Sequence, residues 1–239
     1  MDRHFSCTAC GKCCSGWIPL TVADAIRHAG RFPLALVWTP IRQGHKAYAA
    51  TARLGTVLRL PDRRQVAIRI TPTVYLPSSF PCPELTPDHL CGIHDIKPSR
   101  CRTMPFFPYL DETNQAQQLL PRPGWECDTS ERAPVVYRDR LIVDQGDFAV
   151  ERQELLSQAG PLRDYATAAI TASPGLLASV AQAAGRGGHV VVGILSFLPR
   201  LPEFDALAFA TQQRPVLLGF AERTAQRPEL QEYHAHYVE

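Results

Sequence analysis

"CTACGKCC", residues 7–14, places four cysteines in eight positions and closes with two side by side. Cys7, Cys10 and Cys13 recur at every third residue, the spacing at which a loop wrapped around a metal cluster presents its sulfurs. Close spacing also lowers the entropy of gathering several ligands on one ion. Neighbouring side chains diverge on a helix or a strand. Cys13 and Cys14 are therefore expected to face two metals, or one binds while the other is buried or reactive. Cys82, Cys91, Cys101 and Cys127 complete a set of eight, and the chain beyond residue 127 has none.

Composition narrows what the set is for. At 239 residues with a net charge of +2, the chain can bury a core and offers no electrostatic case for nucleic acid or a membrane surface. The start, "MDRHFSCTAC", lacks the apolar stretch of a secretory signal. The longest apolar run, Val190 to Leu198, is too short to span a bilayer and is expected as a buried element. A cytoplasmic chain is the expectation, and in a reducing compartment clustered thiols are metal ligands or redox groups rather than a disulfide framework.

The cysteine distribution divides the chain near residue 130. The expected fold class is α+β: an irregular, cysteine-rich, metal-organised domain over 1–130 with a small β element, then a mainly helical region over 131–239 packing on it. In the first part "TVADAIRHAG" predicts a short helix, capped by Thr21 with Asp24 at the capping-box position. "GTVLRLPDRRQVAIRI" predicts two strands around a turn at Pro61 to Arg64, and Thr73 to Leu76 a third extended piece. Prolines from Pro77 to Pro108 predict irregular chain. In the second part "FAVERQELLSQAG" predicts a helix stopped by Gly160 and Pro161, followed by three more helical segments. "GRGGHVVVG" reads as a turn, since its glycines follow a helical pattern instead of opening one.

Two metals compete for the cysteines. The C-x2-C-x2-C run is that of bacterial ferredoxins, whose remote ligand precedes proline, as Cys82 precedes Pro83. Zinc sites use two close pairs; no second C-x2-C is present, although Cys91 and His94 would make a mixed half-site. The reading favours an iron–sulfur cluster over zinc and leaves zinc open. One division puts Cys7, Cys10, Cys13 and Cys82 on one centre and Cys14, Cys91, Cys101 and Cys127 on another.

"CTACGKCC" followed by "CGIHDIKPSRCRTMPFFP" resembles the YkgJ-type CxxCxxCC family of cysteine-cluster proteins. The matching positions are Cys7, Cys10, Cys13 and Cys14, then Cys91, Ile93, Pro98, Cys101, Arg102, Pro105 and Phe106. His94 stands where the family usually has Tyr, and Lys97 where it usually has Arg. The resemblance implies a zinc- or iron-chelating protein. The flagellin lysine methylases are similar over the same motif, which implies that an iron–sulfur cluster can sit there. Function is then expected to be metal or electron carriage, with the helical part docking a protein or peptide partner. The alternatives are a metal-dependent, methylase-like enzyme acting on a peptide or small molecule, and a zinc-stabilised interaction module.

Arg100 and Arg102 flank Cys101 and are candidates to hydrogen-bond cluster sulfurs or an anionic substrate; the competing reading is that they neutralise local thiolate charge. His94 is more readily a polar surface residue than a ligand, and so are His4 and His89. His234 and His236 in "YHAHY" read as part of a solvated tail.

Overall fold

The computed structural model describes residues 2–239. Its strands are β1 (Arg3–His4), β2 (Ile18–Pro19), β3 (Leu34–Arg42), β4 (Thr56–Arg59), β5 (Gln65–Val74), β6 (Val135–Arg138), β7 (Leu141–Ile142) and β8 (Val190–Val192). Its α-helices are α1 (Val22–Arg27), α2 (Tyr48–Leu54), α3 (Ser99–Thr103), α4 (Gly146–Ala172), α5 (Pro174–Arg186), α6 (Ala206–Thr224) and α7 (Gln231–Val238). The fold is α+β, cysteine-rich at the front and mainly helical behind.

The central antiparallel sheet grows from the β4–β5 hairpin. Val66, Ile68 and Ile70 alternate along β5 and are buried, as a strand with one apolar face requires. The sheet order is β2-β5-β3-β8, with β4 pairing β5. Its neighbour β3 was not legible: "LALVW" between Pro33 and Pro40 is too short for periodicity to separate strand from helix. The extended piece expected at Thr73 is the end of β5, which runs on through Pro72. Leu162, Tyr165 and Ala166 of α4, Val180 and Ala184 of α5, and Phe209 and Phe220 of α6 share one core with these strands. Trp38 lies opposite Ile70 in the register and packs edge-on against Tyr165 at 5.7 Å. A separate sheet, β1-β6-β7, carries the N-terminal arm.

Three sequence expectations change here. The helix predicted to stop at Gly160–Pro161 continues to Ala172. Pro161 removes one intrahelical bond, but Leu155, Ala159, Leu162, Tyr165 and Ala166 bury a continuous stripe across it. Val190–Val192, expected within a buried element, is a half-buried strand pairing with β3, so residues beyond 130 complete the sheet of the first part. The "YHAHY" segment is no solvated tail: it forms α7, with Tyr237 buried, His236 Nε2 3.2 Å from the Leu34 carbonyl, and His234 Nδ1 3.1 Å from that of Ala221.

Around α1, polar groups bind remote segments. Thr21 accepts from the Asp24 amide at 3.1 Å, as a cap should. Asp24 does not complete the capping box. Its carboxylate instead accepts the Ser99 amide at 2.7 Å, holding the start of α3. His28, at the end of α1, is buried with neither ring nitrogen hydrogen-bonded. Burial, with Arg27 and Arg31, lowers its pKa, against the opposing pull of Asp24 and Glu84. Because the folded state resists charging this ring, stability is fully present above the ordinary imidazole value of about 6.5 and falls as pH drops below it. Urea midpoints are expected to decline from pH 7 to pH 5 more steeply in the native chain than in His28→Leu. Equal slopes would remove His28 from the acid response.

Candidate metal centre

Two backbone contacts bring distant cysteines together. Ser6 and Asp128 form an antiparallel bridge, with amide–carbonyl bonds of 2.8 and 3.0 Å, which sets Cys7 across from Cys127. Ser15 and Pro81 form another, and the Cys82 amide donates to the Cys14 carbonyl at 2.8 Å, which sets Cys14 across from Cys82. The chain then turns back so that Cys91 bridges Leu85 and the Gly92 amide donates to the Glu84 carbonyl at 2.7 Å. Cys101 lies on α3, whose start Asp24 holds.

The sulfurs accordingly form two groups. Cys14 lies within electrostatic reach of Cys82, Cys91 and Cys101. Cys127 lies within reach of Cys10, Cys7 and Cys13. Cys13 also reaches Cys82 and Cys101, so it stands at the junction. The two bridges place Cys82 beside Cys14 and Cys127 beside Cys7, whereas the expected division grouped each with the other end of the motif. Cys13 and Cys14 lie close enough to shift one another's protonation in opposite directions. All eight cysteines are free thiols. Among the described residues no three Cys, His, Asp or Glu side chains converge tightly enough to enclose one ion.

The protonation balance is uneven. The hydrogen bond to Cys14, then burial, pushes the Cys13 thiol far up, while the same bond lowers Cys14. Burial pushes Cys101 up to about 12, with Cys82 adding to the rise and Arg100 opposing it. Burial also raises Cys82 and Cys127. Cys10 is lowered, first by the backbone amides of Lys12 and Glu126.

These amides reveal a repeated local device. Cys7 sulfur accepts the Ala9 amide at 3.4 Å, and the Lys12 and Glu84 amides favour the thiolate at Cys10 and Cys82, each from two residues further on. A neutral thiol is a weak acceptor, and donors aimed at sulfur stabilise the thiolate, the form that binds metal. The donor set therefore fits a soft, thiolate-bound metal. The tight turns use left-handed backbone at Ala9 (φ 56°) and Gly11 (φ 69°). At Gly11 a Cβ would lie 3.1 Å from His89 Nδ1, so that ring would have to give way, on top of the strain of the left-handed backbone.

The other candidates are placed as follows. Arg100 is buried, donates to the Phe106 carbonyl and to Met104 sulfur, and lies 3.7 Å from Glu151. Arg102 donates to the Lys97 carbonyl at 2.8 Å and Ser99 Oγ at 3.1 Å, and pairs with Asp147 at 3.3 Å. The hydrogen bonds of both arginines thus go to protein groups that fix α3. His4 Nδ1 is 2.7 Å from the Ala133 carbonyl, and His94 is exposed. Lys97, noted in the sequence only as a departure from the family's usual Arg, is a counter-charge that opposes the rise of the Cys13 thiol.

Fold and cysteine placement together define a cysteine-cluster protein. The chain belongs to the CxxCxxCC family, described as a "Putative zinc- or iron-chelating domain", which it matches over residues 6–127. No curated protein and no solved structure matches it. Among the described residues no helix is long and apolar enough to cross a membrane.

Proposed function

We propose that the eight cysteines hold iron–sulfur centres in two adjoining groups, Cys14, Cys82, Cys91 and Cys101 in one and Cys7, Cys10 and Cys127 in the other. Cys13 stands between them, and the protein carries electrons or metal. The observation that carries this reading is the backbone amide two residues on, which donates to sulfur at Cys7 and favours the thiolate at Cys10 and Cys82. Such bonds ready sulfur as thiolate and are among the levers that set cluster potentials. The ferredoxin-like spacing at Cys7, Cys10 and Cys13 supports iron–sulfur over zinc.

Within this reading the chain's own groups have separable tasks. The Ser6–Asp128 and Ser15–Pro81 bridges set the span between sulfurs. The Ala9, Lys12 and Glu84 amides hold negative charge on them, and Lys97 offsets part of it. A bound iron–sulfur centre would supply one-electron chemistry. The deciding experiment is anaerobic purification with elemental analysis and an absorption spectrum. Brown protein containing iron and inorganic sulfide is expected, with both falling in Cys10→Ser and in Cys101→Ser. Colourless protein with stoichiometric zinc would replace iron–sulfur with a zinc centre, and unchanged metal in both variants would refute the ligand assignment.

A further inference from the structure

The Cys14–Cys82 contact is the hinge point of one sulfur group, and the chain leaves it in two directions. Each branch is gripped by a C-terminal helix that lies beyond the family match at residue 127. Trp17 follows Cys14 by three residues, at most about 11 Å of extended backbone. Its indole N–H donates to Tyr233 Oη on α7 at 3.0 Å, and its ring packs 5.2 Å from Tyr75. Tyr233 stacks on Tyr75 at 4.5 Å, and Tyr237 Oη, also on α7, donates to the Tyr75 carbonyl at 2.6 Å. On the other branch Phe80 precedes Cys82 by two residues. The Arg223 guanidinium of α6 lies 4.4 Å from its ring centroid, and Arg227, just past that helix, lies 5.2 Å from it.

These contacts fall on the residues that set where Cys14 and Cys82 stand. A loop held in its bound conformation loses less entropy when metal arrives, so whatever holds it raises affinity. Linkage makes the effect reciprocal: metal must tighten the helices as much as the helices favour metal. Building on the metal-binding reading above, we propose that α6 and α7 are a positioning clamp for the Cys14, Cys82, Cys91 and Cys101 group, coupling its metal affinity to docking of the C-terminal helices. Trp17, Phe80, Arg223 and Tyr233 are its positioning residues. The region outside the family match thereby acquires a task at the metal site.

The test titrates cobalt(II) alone into the reduced, metal-free full-length chain. Thiolate-to-cobalt absorption in competition with a chelator reads affinity, and hydrogen exchange reads α7. Tyr233→Phe and Arg223→Gln are each expected to weaken the affinity of part of the bound cobalt by about 5-fold or more. Cobalt is expected to slow exchange at residues 231–238 in the native chain. Arg200→Gln removes a comparable cation–ring contact at Tyr165, 5.8 Å from the centroid, and is expected to leave affinity unchanged. A merely structural role for the clamp would lower unfolding midpoints without moving affinity. If the native chain binds cobalt through thiolates but both variants match it, or exchange in α7 does not respond, the clamp alone is refuted. If the native chain gives no thiolate–cobalt absorption, the metal reading fails and the clamp with it.

Discussion

Removing metal from the folded protein is expected to loosen its front segments while leaving the central sheet in place. Structural thiolate-bound zinc contributes on the order of 10 kcal/mol of apparent folding energy in small metal domains. The segment carrying Cys7 to Cys14 has little apolar packing of its own to replace such a contribution, whereas Cys82 and Cys91 lie against the main core near Phe80 and Ile93. Cys7 and Cys13 are exposed, and the motif contributes no residue to the buried clusters. Trp38, Ile68, Ile70, Leu162 and Phe197, by contrast, are at most 2 % exposed and have no part in the cysteine groups. Trypsin should therefore cut chelator-treated protein at Lys12 at least ten times faster than metal-loaded protein. Far-ultraviolet dichroism should change little. Identical cleavage with and without metal, confirmed by elemental analysis, would show that the front half needs no ion to hold its shape.

A large loss of stability is also expected from Glu151→Gln. Arg100 and Glu151 are both buried, on α3 and α4, with their charges 3.7 Å apart. Arg100 Nη1 and Glu151 Oε2 have no hydrogen-bond partner, so each relies on the other's charge. Burial accordingly lowers the Arg100 pKa and raises that of Glu151. Neutralising one member leaves an uncompensated buried charge, which costs about 3–5 kcal/mol. For a chain of this size that is roughly a 10 °C fall in unfolding midpoint. Arg100→Met combined with Glu151→Leu should recover most of the loss, because the pair is then replaced by packing. A single variant that loses less than about 1 kcal/mol would show that water reaches the pair.

The same pair explains part of what the sequence conceals. Arg100 beside a cysteine looks like a ligand to a cluster, and nothing nearby in sequence shows that Glu151 will claim its charge from fifty residues away. Local rules worked where a local cause sufficed: Thr21 capping α1 and the polar turn between β4 and β5. They failed where burial overrode a breaker, as at Pro161, or where partners were remote. The pairing of Cys82 with Cys14, and of Cys127 with Cys7, depends on backbone bridges spanning the first half of the chain. The mutual influence of Cys13 and Cys14 depends on how those bridges fold the loop. The amide donors to sulfur had a legible trace, since three of them follow a cysteine by two residues.

The strand β8 gives the chain an economy of its own. Its three residues pair with Leu36, Val37 and Trp38, so that stretch of the β3 rim is covered by a strand from the final third of the chain. A polypeptide ending soon after the cysteine region would emerge with that rim bare, an open seam of unpaired amides and carbonyls inviting the same seam of another molecule. The cysteine region is thus a fragment of a body that closes only when the final third of the chain arrives.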